Sequence, residues 1–160
     1  MTTSWTSLLA AGVLATLVLT TALRGANELG LTRMDLPFLM GTAFTTDRRR
    51  ARILGYVLHF VVGVVFAVAY GAILVAIGRR GWAWGAALGA LHSLFLGTVG
   101  VNVLLPAVHP RMGASDTTFE SSPLLEPPGI LMLNYGPRTP LVSLVAHVAY
   151  GVIIAQLGVG

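Results

Sequence analysis

The sequence contains no cysteine and no lysine, and only 10% of its 160 residues are charged. Without cysteine there are no disulfides, thiolate metal sites, cysteine nucleophiles or lipidated cysteines, and the compartment stays open. Without lysine there is no phosphate-cradling glycine loop of the GxxxxGK type. HExxH and GxSxG are missing as well, and no carboxylates carry metal-ligand spacing. Charge is also too sparse to cover a water-facing surface. A soluble domain is about a quarter charged, so lipid is the natural solvent for much of this chain.

What is present is apolar: 55% hydrophobic residues, with a mean hydropathy of +0.80. Four runs, at 5–23, 53–77, 82–105 and 140–159, are long enough to cross a hydrocarbon layer that needs roughly 20 helical residues. The expected fold is all-α: a polytopic membrane protein with four transmembrane helices in one bundle, residues 1–160 forming one domain. The first run reads as a retained span, because MTTSWTS has no basic residue ahead of the apolar stretch and TTALRG offers no small-x-small cleavage site.

The net charge of +4 does not call for nucleic acid, because the basic residues flank apolar segments where anionic headgroups are the counter-charge. All ten are arginine. Arg24, Arg33, Arg48, Arg49, Arg50 and Arg52 lie between spans one and two, and Arg111 and Arg138 between three and four. Only Arg79 and Arg80 lie in the intervening turn. This bias puts two long connections in the cytoplasm and both termini outside. Trp5, Trp82 and Trp84 then anchor the outer interface. The connections carry two short apolar patches, MDLPFLMG (34–41) and PPGILMLNYG (127–136), suited to the headgroup level or to folding back over the cytoplasmic mouth. The Ser/Thr-rich stretch 113–123 between them reads as a mobile loop.

Within the spans the ionisable side chains, tyrosine aside, are His59, His92 and His147. Helical spacing places His59 with Gly63, Phe66 and Tyr70, and His92 with Gly85, Gly89, Leu96 and Val99. It places His147 with Pro140, Ser143, Gly151, Ile154 and Gly158. Span one offers Gly12, Thr16 and Thr20. Stripes of small residues let backbones approach, so Gly12, Gly63, Gly85, Gly89 and Gly151 are expected packing positions. VLHFVVGVVFA (57–67) also aligns weakly with VAHVAYGVIIA (145–155), which suggests parallel repeats.

Three imidazoles raise the possibility of zinc, copper, iron or haem, whereas a neutral histidine can equally serve as an interhelical hydrogen-bonding group. By helical rise, His59 lies about 9 Å and His147 about 4 Å to the cytoplasmic side of mid-span, with His92 near the middle. That spread disfavours a common ion with ligand distances near 2 Å. At the cytoplasmic surface Asp35, His109, Arg111, Glu126 and Asn134 are candidates for contact with a partner. A catalytic set drawn from the loop acids, including Asp116 and Glu120, lacks diagnostic spacing.

The motifs MDLPFLMGTAFT (34–45), HFVVG (59–63), HPRM (109–112), LLEPPG (124–129) and NYG with RTPL (134–141) resemble a family of uncharacterised small multi-pass bacterial membrane proteins. The resemblance implies the four-helix layout and the bacterial inner membrane, and no activity. Two functional classes follow. The first is a non-enzymatic membrane scaffold or accessory subunit, associating with a membrane-protein partner or a second copy and needing no cofactor. The second is an intramembrane histidine site for a metal, haem or small solute.

Overall fold

The computed structural model describes residues 4–110, 112 and 125–159, all helix, turn or loop with no strand among them. Four spans are long and apolar enough to cross a membrane: Trp5–Glu28, Arg48–Ala76, Trp82–Val108 and Thr139–Gly158. The protein is an all-α, four-helix membrane-spanning bundle.

Helix α1 (Trp5–Glu28) buries Leu8, Ala11, Gly12, Ala15, Thr16, Leu19, Thr20 and Leu23, one face at three- and four-residue spacing. It runs past the expected end at 23, and Arg24 pairs with Glu28 at 2.8 Å. Helix α2 (Leu36–Thr42) starts where the Asp35 carboxylate accepts from the Phe38 amide at 3.1 Å. Helix α3 (Arg48–Ala76) is capped the same way by Asp47, which accepts from Arg50 N at 2.7 Å. Starting at Arg48 rather than 53 puts the arginine cluster on helix rather than loop. A helix of 29 residues is longer than the hydrocarbon is thick, so its first turns lie beyond the apolar layer.

The α2 patch folds back against the start of α3 rather than standing free. A Cβ on Gly41 would collide with the Ala51 carbonyl, and one on Gly55 with that of Pro37. Along α3 the buried residues Ala51, Gly55, His59, Gly63, Ala67 and Gly71 recur at every fourth position. Each such step overshoots an α-helical turn by about 40°, so the row winds and serves α2 first, then α1.

The third span changes character part-way. Helix α4 (Trp82–Phe95) passes into π-helix over Leu96–Leu104 and ends as α5 (Leu105–Val108). Pro106 cannot donate to the ladder and its ring crowds the carbonyl four residues back. Asn102 Nδ2 meanwhile donates into the ladder, to Gly97 O at 2.9 Å and Thr98 O at 3.2 Å. Inserted polar groups and proline are recognised causes of such widening. A 3-10 segment, Ile130–Tyr135, precedes α6 (Thr139–Ile153), which also ends in π-helix at Ile154–Gly158.

Around the bundle α3 packs on α1, α1 on α6, and α6 on α4. Gly85 and Gly151 stand so close that a Cβ on either would strike the other's carbonyl. Gly89 likewise meets the His147 backbone, Gly63 the Thr16 side chain, and Gly12 the Ala67 methyl. All five glycines therefore face neighbours within the chain. Leu8 lies beside both Gly71 and Gly158, so α3 and α6 end at the same side and run parallel.

Candidate functional site

Helices α3 and α4 are consecutive in the chain yet hardly touch. Between them lies a cleft of about 350 Å³, backed by Leu19 of α1 and by His147 and Tyr150 of α6. Val62 and Phe66 form one wall, and Phe95, Leu96 and Leu104 the other. Val62, Phe95 and Leu104 are also exposed on the outside of the bundle, so the cleft faces the lipid laterally. Its lining is apolar except for His59, His92, His147 and Tyr150.

The three histidines are thus brought to one cavity. His92 and His147 stand edge to face with centroids 5.0 Å apart, and His92 lies against Phe66 at 4.0 Å. The wide depth spread expected from sequence is only partly a matter of span boundaries. Beginning α3 at Arg48 brings His59 nearer mid-helix, whereas continuing the third span to Val108 moves His92 the other way. Their meeting at one cavity therefore depends on how the helices are set against one another.

Proton positions follow from the partners. The Tyr70 hydroxyl donates to Leu88 O at 2.9 Å, a carbonyl that can only accept. His92 Nδ1 lies 3.1 Å from the same hydroxyl. Both contacts are satisfied together when Nδ1 donates to the phenol oxygen, which leaves the neutral ring with a bare lone pair on Nε2. His147 Nδ1 lies 2.8 Å from Ser143 O, another pure acceptor, so it too is protonated on Nδ1. Ser143 Oγ continues to Ser93 Oγ at 3.0 Å, tying α6 to α4. Tyr150 donates across the bundle to the Gly63 carbonyl. The Nε2 atoms of His59 and His92 are buried without a hydrogen-bond partner.

No protein-family model, curated protein or solved structure matches the chain. The resemblance noted from its motifs therefore carries no further than a four-span all-α membrane protein.

The metal candidates require correction. Among the described residues no group of three or more His, Cys, Asp or Glu side chains is placed to hold a metal ion. His92 and His147 commit Nδ1 to partners on a neighbouring helix or their own, and meet edge to face. The stripe assigned to His92 also differs. The buried row is Gly85, Gly89, Ser93, Gly97 and Val101, while Val99 is exposed and His92 sits beside the row. The row steps in fours and passes His92 while still in α-helix, and the widening from Leu96 carries it on to Gly97 and Val101 instead of Val99.

The surface candidates scatter into separate structural roles. His109, expected at the surface, is only 3% exposed, with Nε2 3.1 Å from Thr42 Oγ1, and thereby fastens the end of α5 to α2. Asp35 caps α2 and lies 3.9 Å from Arg24. Glu126 lies 3.6 Å from Arg33, and Asn134 Nδ2 donates to Pro127 O at 2.9 Å. Arg33 also donates to the Asn134 carbonyl. Tyr135 donates to Glu126 O at 2.8 Å, and burial, aided by the Glu126 charge, pushes its phenol up to about 12, so it stays a neutral donor. Arg33, Glu126, Asn134 and Tyr135 together clamp the 3-10 segment over the arginine-rich end. Arg111 and the stretch 113–123 lie outside the described residues.

Tyr150, Ser93 and the π-helical wall were not singled out from sequence. A hydroxyl inside each apolar run marks the first two. Asn102, with glycines at 97 and 100 and Pro106 beyond, marks the third.

Proposed function

We propose that this is a non-catalytic membrane protein that holds a lipid-phase small molecule in the cleft between α3 and α4. The observation that carries the reading is a laterally open, apolar cavity with buried imidazoles, bordered by a π-helical wall of the kind that gathers at functional sites. The volume suits one compact head or a short length of chain. Among the described residues the lining offers no carboxylate for acid–base work. An accessory role, in which the bound molecule is stored, sensed or presented to a membrane partner, fits this chemistry better than turnover.

The arginine distribution supports a cytoplasmic α2 and 3-10 cap and external termini. The outlying Arg79 lies over the Trp84 ring at 5.3 Å, an interfacial arrangement that an external face tolerates. A reporter fused after Gly160 is expected on the external face, and cytoplasmic activity of that reporter would reverse the orientation. Residence in a bacterial inner membrane rests on the motif resemblance alone.

The binding reading is tested on protein purified in lipid nanodiscs, by organic extraction and mass spectrometry. An apolar molecule near one per chain is expected in the wild type. It should be lost in Val62→Trp, which fills the cleft, and kept in Val57→Trp on the outer face of α3. Equal extraction from all three proteins, or none from the wild type, rejects the reading.

A further inference from the structure

Resting on that reading, we infer that the molecule held in the cleft presents a hydroxyl, as a lipophilic alcohol or phenol does, and that the Tyr70–His92 pair selects it over ethers and carbonyls. Two orphaned nitrogens belong to rings that line the same cavity: Nε2 of His59, on a side chain only 5% exposed, and Nε2 of His92. A buried polar atom without a partner is destabilising, and natural proteins rarely leave one unsatisfied.

The nature of the missing partner at His92 follows from the hydrogen-bond chain behind it. Leu88 O accepts from Tyr70, Tyr70 accepts from His92 Nδ1–H, and Nε2 is left as an acceptor. An ether, ester or carbonyl oxygen would set lone pair against lone pair. A hydroxyl donates to it. No comparable chain sets the tautomer of His59, whose Nε2 is the second unpartnered atom of the same cavity. A hydroxyl is the smallest head that gives to the His92 acceptor and can still give to or take from another imidazole. Its apolar tail would leave between Val62 and Leu104, where the cleft meets lipid.

The Tyr70 hydroxyl is therefore a positioning group: it acts on the ligand only by holding the proton of His92 on the far nitrogen. Discrimination of this kind, where a buried acceptor meets a head lacking a donor, is worth about tenfold or more in affinity.

The test uses 4-decylphenol and its methyl ether, 4-decylanisole, titrated into the full chain in nanodiscs, with histidine ¹⁵N NMR as readout. The phenol is expected to bind about tenfold more tightly than the anisole and to move the His92 Nε2 resonance. In Tyr70→Phe the ring is free to exchange tautomers, so the ratio should fall to within about twofold while the phenol still binds. Equal binding of phenol and anisole to the wild type, both displaced by Val62→Trp, overturns the hydroxyl preference and leaves the cleft reading standing. Binding of neither, or binding indifferent to Val62→Trp, removes the cleft reading itself. A wild-type preference retained in Tyr70→Phe overturns the relay. If that variant does not fold, the wild-type ¹⁵N spectrum decides alone: a protonated His92 Nε2 in the bound state refutes the assignment.

Discussion

The seam between α4 and α6 and the gap between α3 and α4 lie in the same bundle and are built on opposite terms. At the seam, Gly85 and Gly89 press backbone against Gly151 and His147, and no side chain larger than hydrogen fits at the glycines. In the gap, Phe66 and His92 stack while Phe95 and Leu96 hold the walls apart. Lipid supplies no hydrophobic drive to bring helices together, so contact depends on close packing and hydrogen bonds. Small residues close one seam, and large residues on a widened backbone keep the other open. The proposed binding role falls to the open one, and the close packing falls to the others.

That contrast is broken most directly at glycines that face backbone. Gly55→Ala or Gly151→Leu should lower stability by about 3 kcal/mol or more, since the opposing carbonyls cannot move aside. Thermal unfolding in detergent measures this, with Val152→Leu as the mild control; equal shifts would mean the glycines are not the seam. Gly63→Ala should be somewhat gentler, about 2 kcal/mol, because it meets a side chain rather than backbone, although both branches of the buried Thr16 stand in the way. Tyr150→Phe removes one cross-bundle hydrogen bond to Gly63 and should cost about 1 kcal/mol in the same assay. Smallest of all, Gly25→Ala has nothing within 4 Å and should stabilise by up to about 1 kcal/mol through helix preference alone. A destabilised Gly25→Ala would reveal a neighbour on that face.

The four spans were legible because apolar length is set by bilayer thickness and needs no tertiary context. The arginine-rich ends were misjudged because Arg24 and Arg48 to Arg52 read as loop, whereas an arginine can stay helical with its head in the interface. The glycine positions and the three histidines were visible as residue types on faces. Their convergence was not, since it depends on how far each helix slides against the next. His109 was misplaced for the same reason: HPRM looks solvated until Thr42 of a distant element is brought beside it. The cleft had no sequence signature of its own, being defined by two helices that meet only where Phe66 and Tyr70 reach Leu88 and His92.

The π-helical stretch has one more consequence. The buried residues Gly85, Gly89, Ser93, Gly97 and Val101 advance in strict fours, and His109, also buried, falls eight further along the same count. In an α-helix each step of four runs ahead of a full turn by about 40°, and the row would soon spiral toward lipid. Beyond Leu96 the bonds reach five residues back, each turn holds more residues, and a step of four falls short instead. The two errors oppose one another, as the two scales of a vernier do, and the row returns to the bundle in time for His109 to reach Thr42. Deleting a single residue between 96 and 104 would do little to the length of the span. It would turn everything beyond by nearly a quarter turn and swing the latch at His109 out of phase with its catch.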